Sequence, residues 1–317
     1  FIGWLHALAD SAGADRDDLL IGGDHLGPNP WRRQSPENAM AKARDLVRDY
    51  VASGFRKIHL DASMALGGEA HPSFELVAER AADLCAVAED AAADPSELIY
   101  VIGTEVPVPG GETTEPDALD VTSVARLEKT IETHRVAFKA RGLQSAWSRI
   151  ASVVTQPGVD FGHSALYRFD PLASKDLSAA ILDFPGLTFE AHSTDYQPDE
   201  ALAQLVEQHF FFLKVGPELT FRFREAIFAL AGIEELIDPP SPSRIREIIE
   251  ERMSAEPGHW QDYYKGSEVE MRRLRNFSYS DRIRYYWGDS AVIAALSRLF
   301  SNLSKAGLTE TLVSQYF

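Results

Sequence analysis

One cysteine, Cys85, supplies all the thiol chemistry of this 317-residue chain. A single thiol permits no internal disulfide and no cysteine-based zinc finger, and it suits a reducing compartment. Cys85 lies inside the helical pattern FELVAERAADLCAVAEDAAA, where it reads as a small buried hydrophobe rather than a nucleophile. Positive charge is also scarce. The chain has 31 Lys and Arg against 48 Asp and Glu, a formal net charge of −17. That balance speaks against a nucleic-acid or anionic-membrane partner, since both need a basic face. A sugar phosphate would need a local cluster of cations. No apolar run reaches the roughly 18 residues of a membrane span, and no secretory leader is visible. A cytoplasmic protein is expected. Phosphate-cradling loops are missing too: neither GxxxxGK followed by Ser or Thr nor GxGxxG after a strand occurs.

What the chain does have is a repeated rhythm. Six short apolar runs each close on a polar cluster: LLIGGDH (19–25), KIHLDAS (57–63), LIYVIGTEV (98–106), IASVVTQPGVDFG (150–162), LTFEAHSTD (187–195) and FFFLKVGPE (210–218). Helical patterns follow at about 36–53, 72–93, 120–142, 174–183, 198–209 and 218–231. The first of these starts at SPEN, with Ser35 as cap and Pro36 at the first helical position. Strands alternating with helices predict a parallel sheet covered by helices. Polar groups at every strand's carboxyl end are the layout of a (β/α)8 barrel site. Six strands fall short of the eight that a closed TIM barrel needs. The expectation is a barrel over residues 1–237 whose first two strand units are missing from this chain. The segment DPPSPS (238–243) reads as a linker. Beyond it, 244–254, 257–275 and 288–305 read as helices of a C-terminal extension over 238–317.

The candidate site residues sit at the strand tips. Asp24 and His25 precede a Gly-Pro turn: an acid beside the commonest metal ligand, or a turn Asp beside a surface His. Asp61 ends KIHLD and reads either as a proton-transfer group or as a helix cap. His59, two residues back, reads as barrel filling. Glu105 follows a mostly apolar run, where an unpaired carboxylate is costly and a cation or substrate hydroxyl would repay it. Gln156 and Asp160 lie among glycines, with His163 just beyond. Glu190 and His192 alternate, so period two puts both on one face of a strand, with Asp195 just past them. Lys214 ends four apolar residues, either as a Schiff-base lysine or as a counter-ion for nearby carboxylates. Gly216 precedes a helix start, a place for a phosphate. Ser280 and Arg282, in NFSYSDRIRYYW, cap a helix or reach a phosphate; a salt bridge from Arg282 to Asp281 or nearby acids is the safer reading.

The motifs GGDHLGPNPW, KIHLDASM, IGTEVPVPGG, TQPGVDFG, FEAHSTDYQ, LKVGPELTF and SDRIRYYW, in this order, resemble the Z-type subunit of tagatose-bisphosphate aldolase over nearly the whole chain. That family is the accessory partner of a catalytic Y-type subunit, and some members carry a tagatose 6-phosphate kinase label. It is in turn similar to class II, metal-dependent aldolases. The resemblance implies that His25 and His192 fall on zinc-binding histidines, Asp24 on a proton-transferring acid, Asp61 on an acid of the next strand and Glu105 on a glutamate near the metal. The third zinc histidine is absent, so Gln156, Asp160 or His163 would have to substitute. Gly216 and Pro217 stand where the phosphate loop has Asn and Asp. The resemblance implies a divalent metal, zinc or manganese, and a ketose or ketose-phosphate substrate. The reaction would be aldol cleavage or C4 epimerisation. The alternative is a non-catalytic subunit that stabilises the Y-type aldolase. Kinase activity fits least, for want of any phosphate-cradling loop.

Overall fold

The computed structural model describes residues 1–104 and 119–317, so Glu105 lies outside the described residues. In chain order the elements are α1 (Ile2–Ala12), β1 (Gly22–Leu26), α2 (Pro36–Ala52), β2 (Lys57–Leu60), α3 (Phe74–Ala91), β3 (Ile99–Ile102), α4 (Val124–Ala140), α5 (Gln144–Trp147), β4 (Ile150–Val154), β5 (Asp160–Phe161), β6 (Leu166–Tyr167), α6 (Lys175–Ala180), β7 (Thr188–Ala191), α7 (Asp199–Glu207), β8 (Phe210–Leu213), α8 (Glu218–Ile237), α9 (Ile245–Ala255), α10 (Glu268–Phe277), α11 (Ser290–Ala306) and α12 (Glu310–Val313). They form two compact units. The first holds the described residues up to 104, Leu119–Val159 and Arg168–Lys214, and the second holds Asp160–Tyr167 and Val215–Phe317.

The first unit is built on a curled, wholly parallel sheet in the order β1-β2-β3-β4-β7-β8. Each of the six expected runs contributes one strand. Serines 35, 73 and 123 cap α2, α3 and α4 by accepting a backbone N–H three residues on, and Pro36 opens α2. The helix faces turned to the sheet are rich in alanine: Ala39 and Ala43 on α2, and Ala78, Ala81, Ala82 and Ala88 on α3. Small side chains let helix and strand backbones approach closely. Cys85 sits fully buried among them, and burial pushes its thiol up, away from reactivity.

Strand alternation divides the sheet into two faces. Ile58, Leu60, Tyr100, Ile102, Phe189 and Ala191 point into the helix layer. Lys57, His59, Asp61, Ser152, Glu190, His192 and Lys214 take the alternate positions. Between them lies a small apolar patch of Val101, Val154 and Phe212. The second face is therefore largely polar although it is buried.

The second unit combines α8–α12 with the β5–β6 hairpin around its own apolar cluster, which includes Ile227, Ile245, Met253, Tyr264, Ile283 and Leu299. The apolar part of the run 150–162 forms β4; Pro157 and the positive φ of Gly158 (+90°) follow it, and residues 160–161 pair in the hairpin. Residues 257–275 are not one helix. Gly266 at φ +124° interrupts them, and α10 starts afresh at a capping box of Ser267 and Glu270. The stretch 238–243 is not a free linker. Ser243 donates from its backbone N–H to buried Glu234 (3.0 Å), and Asn302 bridges Glu234 (2.6 Å) and the Ser241 carbonyl (2.9 Å).

One buried histidine of the first unit sets a pH response. His134 on α4 donates Nδ1–H to the Thr130 carbonyl at 2.8 Å, and burial pushes its pKa from 6.5 down to about 4. The folded state therefore refuses a proton that the unfolded chain accepts below pH 6.5. This contribution is intact above that pH, is lost as pH falls, and levels off below about 4. The stability difference between the wild type and His134→Leu should shrink by about 3 kcal/mol from neutral pH to about pH 4, measured by urea unfolding. A difference that stays flat would refute the assignment.

Candidate functional site

The site grows from a β-bulge. Gly23 pairs with Ile58 and Leu26 with Leu60, so three steps along β1 match two along β2. Asp24 and His25 together oppose the single residue His59. His25 absorbs the extra residue with φ +50°, a left-handed conformation that costs a non-glycine residue energy. Just beyond, Gly27 passes so close to β2 that an added Cβ would lie 1.6 Å from the Asp61 carbonyl oxygen. Only glycine fits there, and the close approach seats Asp61 beside His25.

Three imidazoles gather on the polar face, with ring centroids 5.1–5.6 Å apart: His25, His59 and His192. Each has its own carboxylate. His25 Nδ1 lies 2.8 Å from Asp61 Oδ2, His59 Nδ1 lies 2.9 Å from Asp24 Oδ1, and His192 Nε2 lies 2.9 Å from Glu190 Oε1. An ionised carboxylate only accepts, so each of these nitrogens carries the proton. The His25 amide also lies 3.3 Å from His59 Nδ1, but the shorter carboxylate contact decides that proton's place. The lone pairs are left on His25 Nε2, His59 Nε2 and His192 Nδ1.

Two lysines complete the cluster. Lys57 Nζ pairs with Glu190 Oε2 at 2.6 Å and lies over the Phe212 ring. Lys214 Nζ forms an ion pair with Asp24 Oδ2 and lies 3.0 Å from His25 Nε2 and 3.4 Å from His192 Nδ1. Burial works against charging the carboxylates, yet their partners outweigh it. The hydrogen bond from His59, then the charge of Lys214, holds Asp24 well below the usual range. The hydrogen bond from His25 brings Asp61 to about 2, and that from His192 brings Glu190 to about 2. Burial pushes His192 down to about 4, so at neutral pH it is uncharged and keeps its lone pair.

These residues suit a divalent cation. His59 Nε2 is fully buried and makes no hydrogen bond, which is costly for a lone pair unless something satisfies it. One donor atom each from His59, Glu190 and His192 lies within 4.8 Å of the others. Two imidazoles and one carboxylate make a donor set of the catalytic zinc type. Asp24 behind His59 is the orienting carboxylate such ligands usually have.

Asp24, His25, Asp61, Glu190, His192 and Lys214 are thus brought together. Asp61 does not cap the next helix, whose cap is Ser73; its Oδ1 accepts from Ser63 N and Oγ in a local turn while Oδ2 holds His25. His59 and Lys57 were missed; the alternation Lys-x-His-x-Asp was the available signal. The other candidates are placed differently. Gln156 Oε1 closes its own turn by accepting from Gly158 and Val159 N–H at 2.8 and 2.9 Å. Asp195 is buried just after β7. Asp160, His163, Gly216, Ser280 and Arg282 belong to the second unit. Asp160 Oδ1 accepts from the Phe161 amide, and His163 contacts Ser278 Oγ and the Tyr263 carbonyl. Nothing lies within 4 Å of a Cβ added at Gly216. Ser280 bonds Ser278 at 3.0 Å, and Arg282 donates to the His259 carbonyl while stacking on Tyr263. Asp281 pairs with Arg224 at 3.2 Å rather than with Arg282.

The sequence model of the family described as "D-tagatose-1,6-bisphosphate aldolase subunit GatZ/KbaZ-like" matches residues 1–317. Among solved structures, a "probable tagatose 6 phosphate kinase" from Sinorhizobium meliloti 1021 is 43% identical, with a TM-score of 0.88. The match covers 98% of this chain and 76% of that one. Gly27→Ala should destabilise the protein by about 3 kcal/mol or more, through the clash with the Asp61 backbone. A thermal midpoint equal to that of the wild type would show that β1 and β2 do not approach as described.

Proposed function

Since the chain belongs to the GatZ/KbaZ-like family of D-tagatose-1,6-bisphosphate aldolase subunits, we propose that its polar strand tips form a working site that makes and breaks an aldol bond in a ketose or ketose phosphate. The observation that carries this reading is the set of three carboxylate-oriented imidazoles with a lysine at their focus. A subunit that only stabilised a partner would have no use for so many desolvated polar groups. We further propose that the curled sheet is part of a (β/α)8 barrel whose first two strand units lie outside this sequence. The helical extension is assigned to 238–317.

The chemistry is C4 epimerisation or cleavage of a sugar such as tagatose 6-phosphate. A base takes the proton from the C4 hydroxyl, the C3–C4 bond breaks, and its electron pair moves into the C2 carbonyl to give an enediolate. Re-addition to the other face of the aldehyde, with the proton returned to O4, gives the epimer. Delivery of that proton to C3 of the enediolate instead, followed by release of the two halves, gives cleavage. His25 is assigned the proton transfer: Asp61 fixes its tautomer and leaves Nε2 as the basic atom. The Lys214 ammonium is assigned to polarise the carbonyl oxygen. His59, Glu190 and His192 would hold a divalent cation, zinc or manganese, which when bound supplies Lewis-acid stabilisation of the developing negative charge. Glu105 remains a candidate catalytic group and Asp195 a candidate for substrate contacts.

The family description as a subunit favours a second reading, an accessory role beside a Y-type catalytic subunit. NMR of the protein with tagatose 6-phosphate and added Zn²⁺ or Mn²⁺ separates the two. Conversion to the C4 epimer or to three-carbon products is expected. His25→Ala should lower kcat/KM by about 10²–10⁴-fold. His192→Ala should lose bound metal. No conversion by this protein alone, together with stimulation of an added Y-type subunit, would leave the accessory role in its place.

A further inference from the structure

The cation donor set described above leaves out His25 Nε2, which together with His192 Nδ1 converges on Lys214. Because Asp61 takes the Nδ1 proton of His25 and Glu190 takes the Nε2 proton of His192, the free lone pairs are His25 Nε2 and His192 Nδ1. Both face the Lys214 ammonium, at 3.0 and 3.4 Å, and Asp24 Oδ2 is its third partner. Two imidazole nitrogens and a carboxylate oxygen around one point form a cation seat in their own right. We propose that Lys214 is a tethered cation filling this second seat, and that its ammonium and a divalent metal ion exclude one another there. The inference rests on the metal-site reading given above and extends it, because His192 is shared by the two donor sets.

The exclusion is steric and electrostatic. An ammonium hydrogen-bonded to the two lone pairs occupies the directions a metal would use, and like charges cannot share so small a space. Lys214 sits at the end of β8 with its side chain 23% exposed, so the ammonium has a way out toward solvent or toward an anionic group of a substrate. The arrangement makes Lys214 a competitor for the metal's seat, besides any contact with substrate.

The test is Zn²⁺ and Mn²⁺ binding, read by equilibrium dialysis and metal analysis, with folding checked by circular dichroism. Lys214→Met should bind at least about tenfold tighter than the wild type. Lys214→Arg, which keeps the charge, should not. The added affinity should vanish in Lys214→Met/His25→Ala, whereas His59→Ala should weaken binding by the wild type. Equal or weaker binding by folded Lys214→Met would overturn the exclusion while leaving the metal site intact. No metal bound by either protein would overturn both. If Lys214→Met does not fold, acylation of Lys214 in the wild type, read by mass spectrometry, decides the matter. Saturating Zn²⁺ should raise its reactivity by displacing the amine, and an unchanged or lower yield would refute the proposal.

Discussion

The pairing of each imidazole with its own carboxylate is the constraint on which the rest of the centre depends. A histidine can present either nitrogen, and a site built from three of them would otherwise be a mixture of tautomers. Here Asp61, Asp24 and Glu190 each accept one N–H hydrogen bond, and so fix the remaining lone pair of each ring. The carboxylates are in turn kept ionised by those same hydrogen bonds and by Lys57 and Lys214, despite their burial. No member is satisfied without the others, so the cluster acts as one network rather than a set of separate pairs.

That network needs a rigid support, and the sheet supplies it. The partners come from β1, β2 and β7 and from the residues just past β2, β7 and β8, which are far apart in sequence and brought together by the parallel ladder. The alanine-faced helices hold the ladder from behind. The polar face is costly to bury, and the apolar face of the same strands offsets that cost.

Much of this was legible in the sequence. The six strands and most helices follow from apolar runs, caps and breakers, which are local signals. Asp24, His25, Glu190, His192 and Lys214 stood out because each interrupts an apolar strand with a polar group. His59 did not stand out, since a lone histidine inside a strand is usually filling. Its importance comes from Asp24 and Glu190, residues 35 and 131 positions away, and no local pattern carries that. The turn closed by Gln156 was hidden for a related reason: whether a side chain reaches inward or closes its own turn depends on backbone dihedrals at Pro157 and Gly158. Arg282 was given to Asp281 by adjacency, whereas the fold gives Asp281 to Arg224, nearly sixty residues earlier.

The bulge in β1 has a consequence for how such a centre arises. Neighbours in a regular strand point to opposite sides, so Asp24 and His25 could not otherwise both serve one site. One supernumerary residue, taken up by the left-handed His25, puts them on the same side. Shortening β1 by a single position would restore an even ladder and leave the hydrophobic layers undisturbed, but it would turn one of the two toward the helices. A fold of this kind can therefore gain or lose its chemistry through an insertion or deletion of one codon, with no change to a single catalytic letter.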